Sequence, residues 1–118
     1  MRIISFTKKW QKLSNPEFTT FRFPRRDRDW YIGEVVQVYL RNRTPQREKL
    51  GEAEIINKEV RKIATAYEPY RPTEAEAIAD GFGSSVEMNV WFRKTYGSRI
   101  FEAPVYKLTL RWLNKRVD

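Results

Sequence analysis

Ile3, Ile4 and Phe6 open the chain as a short apolar strand. The stretch KKWQKL after them reads as a single helical turn capped by Thr7, and Asn15-Pro16 ends it. In EFTTFRF, period-two alternation puts Phe18, Thr20 and Arg22 on one face. Thr19, Phe21 and Phe23 take the other. A third strand is expected over YIGEVVQVYLR, with Val36, Val38 and Leu40 sharing a face. NRTPQREK reads as a polar loop. A fourth strand follows in GEAEIINKEVRKI from about Ala53, with a bend near Asn57. Ala64 to Pro72 reads as a loop.

Two helices come next, and their punctuation is strong. TEAE is a capping box, with Thr73 at the cap and Glu76 returning to it, and that helix stops at Gly81. SSVEMNVWFRKTYG repeats the device with Ser84, Glu87 and a terminal Gly97. Val86, Val90 and Trp91 are expected to line one side of this helix, with Met88 and Phe92 near its edges. In the closing strand PVYKLTLRWL, Tyr106, Leu108, Leu110 and Trp112 alternate with Lys107, Thr109 and Arg111. The order predicts an α+β fold, a single domain over 1–118. Its expected form is a small barrel of five to six mostly antiparallel strands. Two helices inserted before the last strand would cover one opening.

Composition narrows the chemistry. The chain has 118 residues and contains neither cysteine nor histidine. That removes disulfides, thiolate or imidazole metal ligands, and Ser-His or Cys-His catalytic pairs. No metal and no cofactor are expected. No apolar run is long enough for a membrane span, and no signal peptide is evident, so the expected location is the cytoplasm. The net charge is +8 and is unevenly spread. Residues 1–49 hold 12 Lys or Arg against 5 Asp or Glu, and residues 50–118 hold 11 against 10. A positive field confined to one half of a small domain attracts polyanions, nucleic acid foremost.

The strongest candidates are basic and aromatic: Lys8, Lys9, Trp10 and Lys12, then Arg22, Arg25, Arg26, Arg28 and Trp30. Guanidinium forks grip phosphates and tryptophan faces stack on bases. Against this, Trp10 and Trp30 can equally be core residues, and Asp27 and Asp29 can neutralise part of the arginine charge. Thr20 and Arg22 share a strand face that can be an ordinary exposed one. Asp80 stands at a helix end, where the helix dipole disfavours an acid. It is either solvated there or has another task. There is no phosphate loop.

FTTFR, GEVVQVYLR, GEAEIINKEVRKI, EAEAIADGFGSSVEMNVWFRKTYG and VYKLTLRW occur in an order that resembles the ASCH domain family of the PUA-like superfamily. The resemblance implies a barrel with a cleft between strands and helices, and RNA or nucleotide binding in that cleft. Some small relatives are amidohydrolases that deacylate a modified cytidine with a K-x-x-T lysine, a threonine and an acid. Others have been proposed to cleave RNA. Thr20 matches the family threonine, Arg22 the arginine after it, and Asp80 falls near the acid. The lysine position is Glu17 here, which leaves Lys8, Lys9 or Lys12 to reach the cleft from the preceding turn. The expected function is therefore RNA or nucleotide binding through Lys8, Lys9, Trp10, Lys12, Thr20, Arg22, Arg25, Arg26, Arg28 and Trp30. The alternative is a small hydrolase acting on an acylated nucleoside or on RNA, with Thr20, Asp80 and Lys9 or Lys12 as its candidate catalytic residues. A third expectation is a basic face for an acidic partner protein.

Overall fold

The structure, a computed structural model, describes residues 1–25, 27–63, 70–102 and 104–115, with backbone alone at 101 and 102. Among the described residues, five strands form one mixed sheet: β1 Ile3–Phe6, β2 Glu17–Arg22, β3 Val35–Leu40, β4 Glu48–Arg61 and β5 Val105–Lys115. Their order across the sheet is β1-β3-β4-β5-β2. β1 runs parallel to β3 and every other pairing is antiparallel. The first and second strands in sequence are thus the two edges. The sheet curls so that these edges meet. Arg22 on β2 donates Nη2–H to the Ser5 carbonyl on β1 at 3.0 Å, and Phe6 and Phe18 make an edge-to-face pair at 6.1 Å. The result is a half-barrel closed along one seam by side chains instead of a strand ladder.

Alternation decides what fills it. Ile4, Phe18, Val36, Val38, Ile55, Leu108 and Leu110 are buried in one cluster between the curled faces. Phe21, Phe23, Ile63, Met88, Phe92 and Val105 form a second cluster under the helices. β2 therefore feeds both cores, as the split of its two faces predicts.

Several boundaries differ from expectation. Tyr31 to Glu34 form a turn ahead of β3, closed by Glu34 N–H donating to Tyr31 O at 3.1 Å. β4 begins at Glu48, well before Ala53, because its first residues face solvent on one side and lack an apolar pattern. The bend near Asn57 is present as a register shift between Ile55 and Asn57. Thr7 caps nothing: the turn is a 3₁₀ segment, Gln11–Ser14, with Trp10 in the cap position and no side-chain cap. The residues 64–69 of the expected loop lie outside the described residues.

The helices are α1 Glu74–Asp80, α2 Ser85–Tyr96 and α3 Arg99–Glu102, the last unexpected. Thr73 and Glu76 make the full capping box, whereas at Ser84 the hydroxyl accepts from Glu87 N–H. On α2 the buried pair is Met88 and Phe92, while Val86 is 70% exposed and Val90 44% exposed. The expected Val-Trp stripe is thus the outer face. Only a narrow strip of α2 meets the second core, so one i, i+4 pair suffices to seat it. The start of α1 is tied to the sheet by Glu76. Arg61 donates to it from Nε at 3.1 Å and Nη2 at 2.6 Å, and Lys107 Nζ at 2.8 Å. Burial alone would raise the Glu76 carboxyl, but these bonds hold it down at about 2. With its first turn anchored, α1 carries its last residue, Asp80, to a set position. Among the described residues, no helix is long and apolar enough to cross a membrane.

Candidate functional site

The seam between β1 and β2 is also a cleft. Its inner chamber, about 150 Å³, is lined by residues of β1, β2, α2, the 3₁₀ segment and the end of α1. Aromatic rings form most of its wall: Phe6, Trp10, Phe82, Trp91, Phe92 and Tyr96. Their mutual packing holds them in place. Phe82 stands between Trp10 and Trp91, with ring centres 5.6 Å and 5.7 Å away. Thr7, Trp10, Phe82 and Trp91 also line a second, outer hollow of about 510 Å³, here called the vestibule, with Lys8, Val86, Val90 and Lys94.

The floor carries the charge. Lys12 Nζ lies 2.7 Å from Asp80 Oδ1, with side chains only 5% and 9% exposed. Leu13 anchors the 3₁₀ segment in the main core, and this turns the neighbouring Lys12 inward towards the end of α1. Asp80 reaches the same point because Gly81 turns the chain with φ 114° immediately after it. Thr19 is the hydroxyl nearest the pair, its Oγ1 at 3.5 Å from Asp80 Oδ1. Burial pushes the Lys12 amine below its ordinary value, and Asp80 only partly restores it. Burial likewise raises the Asp80 carboxyl against the pull of Lys12 and Arg22. Two groups whose affinities for a proton converge, at hydrogen-bond distance, can pass a proton between them.

Arg22 differs from Lys12. It donates Nε–H to Thr20 Oγ1 at 3.0 Å and Nη2–H to Ser5 O at 3.0 Å. Its plane lies over Phe6, 5.0 Å from the ring centre. It pairs with no carboxylate among the described residues. Burial lowers its proton affinity, with Tyr96 and Asp80 opposing. Since Lys12 and Asp80 offset one another, Arg22 leaves the floor with one uncompensated positive charge, held rigidly by two hydrogen bonds.

The sequence-expected residues separate into those the fold brings to the cleft and those it does not. Lys12, Thr20, Arg22 and Asp80 meet in the inner chamber with Trp10. There Thr20 bonds to Arg22, while Asp80 is contacted by Lys12 and, from outside the chamber lining, by Thr19. Lys8 lies in the vestibule wall, its Nζ 3.8 Å from the Trp10 ring centre. Lys9 is exposed and lines neither space. Trp30 is 3% exposed and donates Nε1–H to Phe23 O, so it is a core residue and presents no face for a base. Arg25 pairs with Asp27 at 3.4 Å and packs over Trp30. Arg28 packs over Tyr31. Arg26 lies outside the described residues. This loop is held by Arg2, at the start of β1, through Arg28 O, Asp29 O and Glu34, whereas Ser5 and Phe6 at the other end of β1 line the cleft. Three residues of strand separate the two places, roughly 10 Å.

Phe82, Trp91 and Tyr96 were not among the expected site residues. A signal was present: Trp91 and Phe82 are large apolar residues on a stretch whose seating needs only Met88 and Phe92. No group of acidic side chains suited to a metal occurs among the described residues. Compared with protein families, with curated proteins and with solved structures, the chain matches none.

Proposed function

We propose that this is a PUA-like, ASCH-type domain that binds RNA by taking one unpaired nucleotide into the seam between β1 and β2. The observation that carries the reading is Arg22, a fixed cation without a carboxylate partner among the described residues, at the floor of an aromatic-walled chamber. Such a chamber is smaller than the 300–1,000 Å³ or so typical of whole small-molecule sites. It suits a single planar ring, with the sugar and phosphate left in the vestibule. A base gains from stacking on the rings and from a guanidinium hydrogen bond to its exocyclic oxygen.

The test is a titration of Trp10 and Trp91 fluorescence with cytidine and uridine monophosphates and with ribose 5-phosphate. The base-bearing ligands should quench and the abasic one should not. Arg22→Met should weaken nucleotide binding about 10- to 100-fold, the worth of one or two charge-assisted hydrogen bonds. Equal binding of ribose phosphate and nucleotide would remove the base from the chamber.

A second reading rests on a different observation, the Lys12–Asp80 contact. In the form with the proton on Asp80, Lys12 is a neutral base whose side chain is nearly buried. It would take a proton from a water attacking an acyl group, and Asp80 would return one to the leaving nitrogen. Incubation with acetylated cytidine decides: release of acetate by the wild type, lost in Asp80→Asn and in Lys12→Gln, turns the binding site into an active site.

A further inference from the structure

The loop between β3 and β4 holds the densest unpaired positive charge among the described residues. Arg41, Arg43 and Arg47 are all exposed, and none pairs with a carboxylate among the described residues. The only acid nearby in sequence is Glu48, while Lys49 is occupied by Glu52. By contrast, in the arginine loop before β3, Asp27 takes Arg2 and Arg25, and Asp29 takes Lys58.

Position matters as much as charge. Arg41 N–H donates to Phe6 O at 2.8 Å, and Asn42 N–H donates to Ser5 Oγ at 3.0 Å. Ser5 and Phe6 both line the inner chamber, and Thr7, Lys8 and Lys9 continue directly from them. The arginine loop thus springs from the lip of the cleft, on the strand end where Lys8 and Lys9 also emerge. It is also ordered from within. Thr44 Oγ1 donates to Arg41 O at 2.7 Å and accepts from Gln46 N–H, and Arg47 N–H donates to Thr44 O at 3.1 Å. Arg47 is further steadied over Tyr39, 4.7 Å from the ring centre. Arg41 and Arg43 both have left-handed backbone, φ 50° and 68°, where glycine or asparagine is less strained.

We propose that Arg41, Arg43 and Arg47, with Lys8 and Lys9, form a phosphate-binding lip that carries the backbone of single-stranded RNA past the mouth of the cleft. This rests on the nucleotide reading of the chamber and adds the strand's path. A loop whose backbone is already ordered loses less freedom on contact, and each exposed guanidinium can grip one phosphate. The basic residues in the loop before β3 are then not the backbone track.

The experiment compares a 12-residue oligouridylate with uridine monophosphate, across salt, for the wild type and for the triple variant Arg41→Gln, Arg43→Gln, Arg47→Gln. Circular dichroism and a thermal melt confirm that the variant folds. The triple variant should keep mononucleotide affinity within twofold. For the oligonucleotide, the slope of log K against log salt should shrink by about 2, since each phosphate contact on a single strand contributes about 0.7. Arg25→Gln with Arg28→Gln should leave that slope unchanged. An unaltered slope in the triple variant, with mononucleotide binding intact, overturns the lip and leaves the chamber reading standing. Absent mononucleotide binding with a reduced slope removes the chamber and keeps the lip. Competition by poly-glutamate as strong as by oligouridylate would reassign the lip to an acidic protein and overturn the proposal.

Discussion

Lys12→Met should lower the unfolding free energy by about 3–5 kcal/mol, the usual consequence of leaving one member of a buried ion pair alone. Lys12→Met combined with Asp80→Leu should restore most or all of that loss, or leave the protein more stable than the wild type. The asymmetry follows from where the two charges sit. Each is nearly excluded from solvent, so each has lost hydration that the partner replaces only in part. Asp80 is also the last residue of α1, where the helix dipole opposes it. The proton equilibria carry the same sign. Burial lowers Lys12 from the ordinary 10.5, so the unfolded chain takes that proton first and stability falls as pH drops from 10.5 towards the folded value. Burial raises Asp80 from 3.8, so the folded chain holds that proton longer and stability falls as pH rises from 3.8 through the folded value. Between the two folded values the ionised pair opposes folding, and the double variant should lose the slopes on either side, between 3.8 and the folded Asp80 value and between the folded Lys12 value and 10.5. Urea unfolding of the wild type and both variants from pH 4 to 10 measures it. A single variant within about 1 kcal/mol of the wild type would show that the amine is not confined against Asp80.

A buried pair whose charged forms are disfavoured by their surroundings points to a task other than stability. That is the physical reason for proposing the site at this seam, independent of any resemblance. It also explains why the chamber was only partly legible beforehand. Alternation along β2 set Thr20 and Arg22 side by side and they are so, but the sequence pattern cannot show which strand edge lies across the gap. Ser5, Phe6 and the β3–β4 loop were therefore invisible as site residues. Local signals were reliable where the physics is local: the Thr73–Glu76 box, the Gly81 and Gly97 stops and the Leu108–Leu110 alternation all stand as read. They were unreliable where burial depends on distant partners. Lys12 was one of three lysines on a polar turn, and only the docking of α1 selects it. Trp30 beside arginines resembles a stacking platform, yet it is buried and its rings are already covered by Arg2 at 4.6 Å and Arg25 at 5.2 Å from the ring centre. Val86, Val90 and Trp91 satisfy a helical spacing, but the sheet accepts the Met88–Phe92 strip instead.

Gly81→Ala should be the most damaging small substitution at the cleft, and Gly97→Ala the control that shows why. Both glycines end helices with positive φ, 114° and 59°. At Gly81 the backbone is left-handed and an alanine incurs about 1–2 kcal/mol of strain; at Gly97, with φ 59° and ψ −133°, the backbone lies in a region that glycine alone visits readily, and an alanine incurs about 1–3 kcal/mol. At Gly97 a Cβ would meet nothing within 4 Å, so the loss should end there. At Gly81 it would stand 2.6 Å from Trp10 Cε3 and 3.1 Å from Cζ3. The indole must move, adding an overpacking loss that brings the total to roughly 2–5 kcal/mol. Moving it breaks the contact with Phe82 and the cation–π contact with Lys8, and Trp10 and Phe82 line both the chamber and the vestibule. Gly81→Ala should therefore shift tryptophan emission to the red and weaken nucleotide binding at least tenfold even well below its melting temperature. Gly97→Ala should keep both emission and affinity at wild-type values. Equal effects of the two alanines on binding would mean that Trp10 does not rest on Gly81, and the aromatic wall would lose the backbone that fixes it.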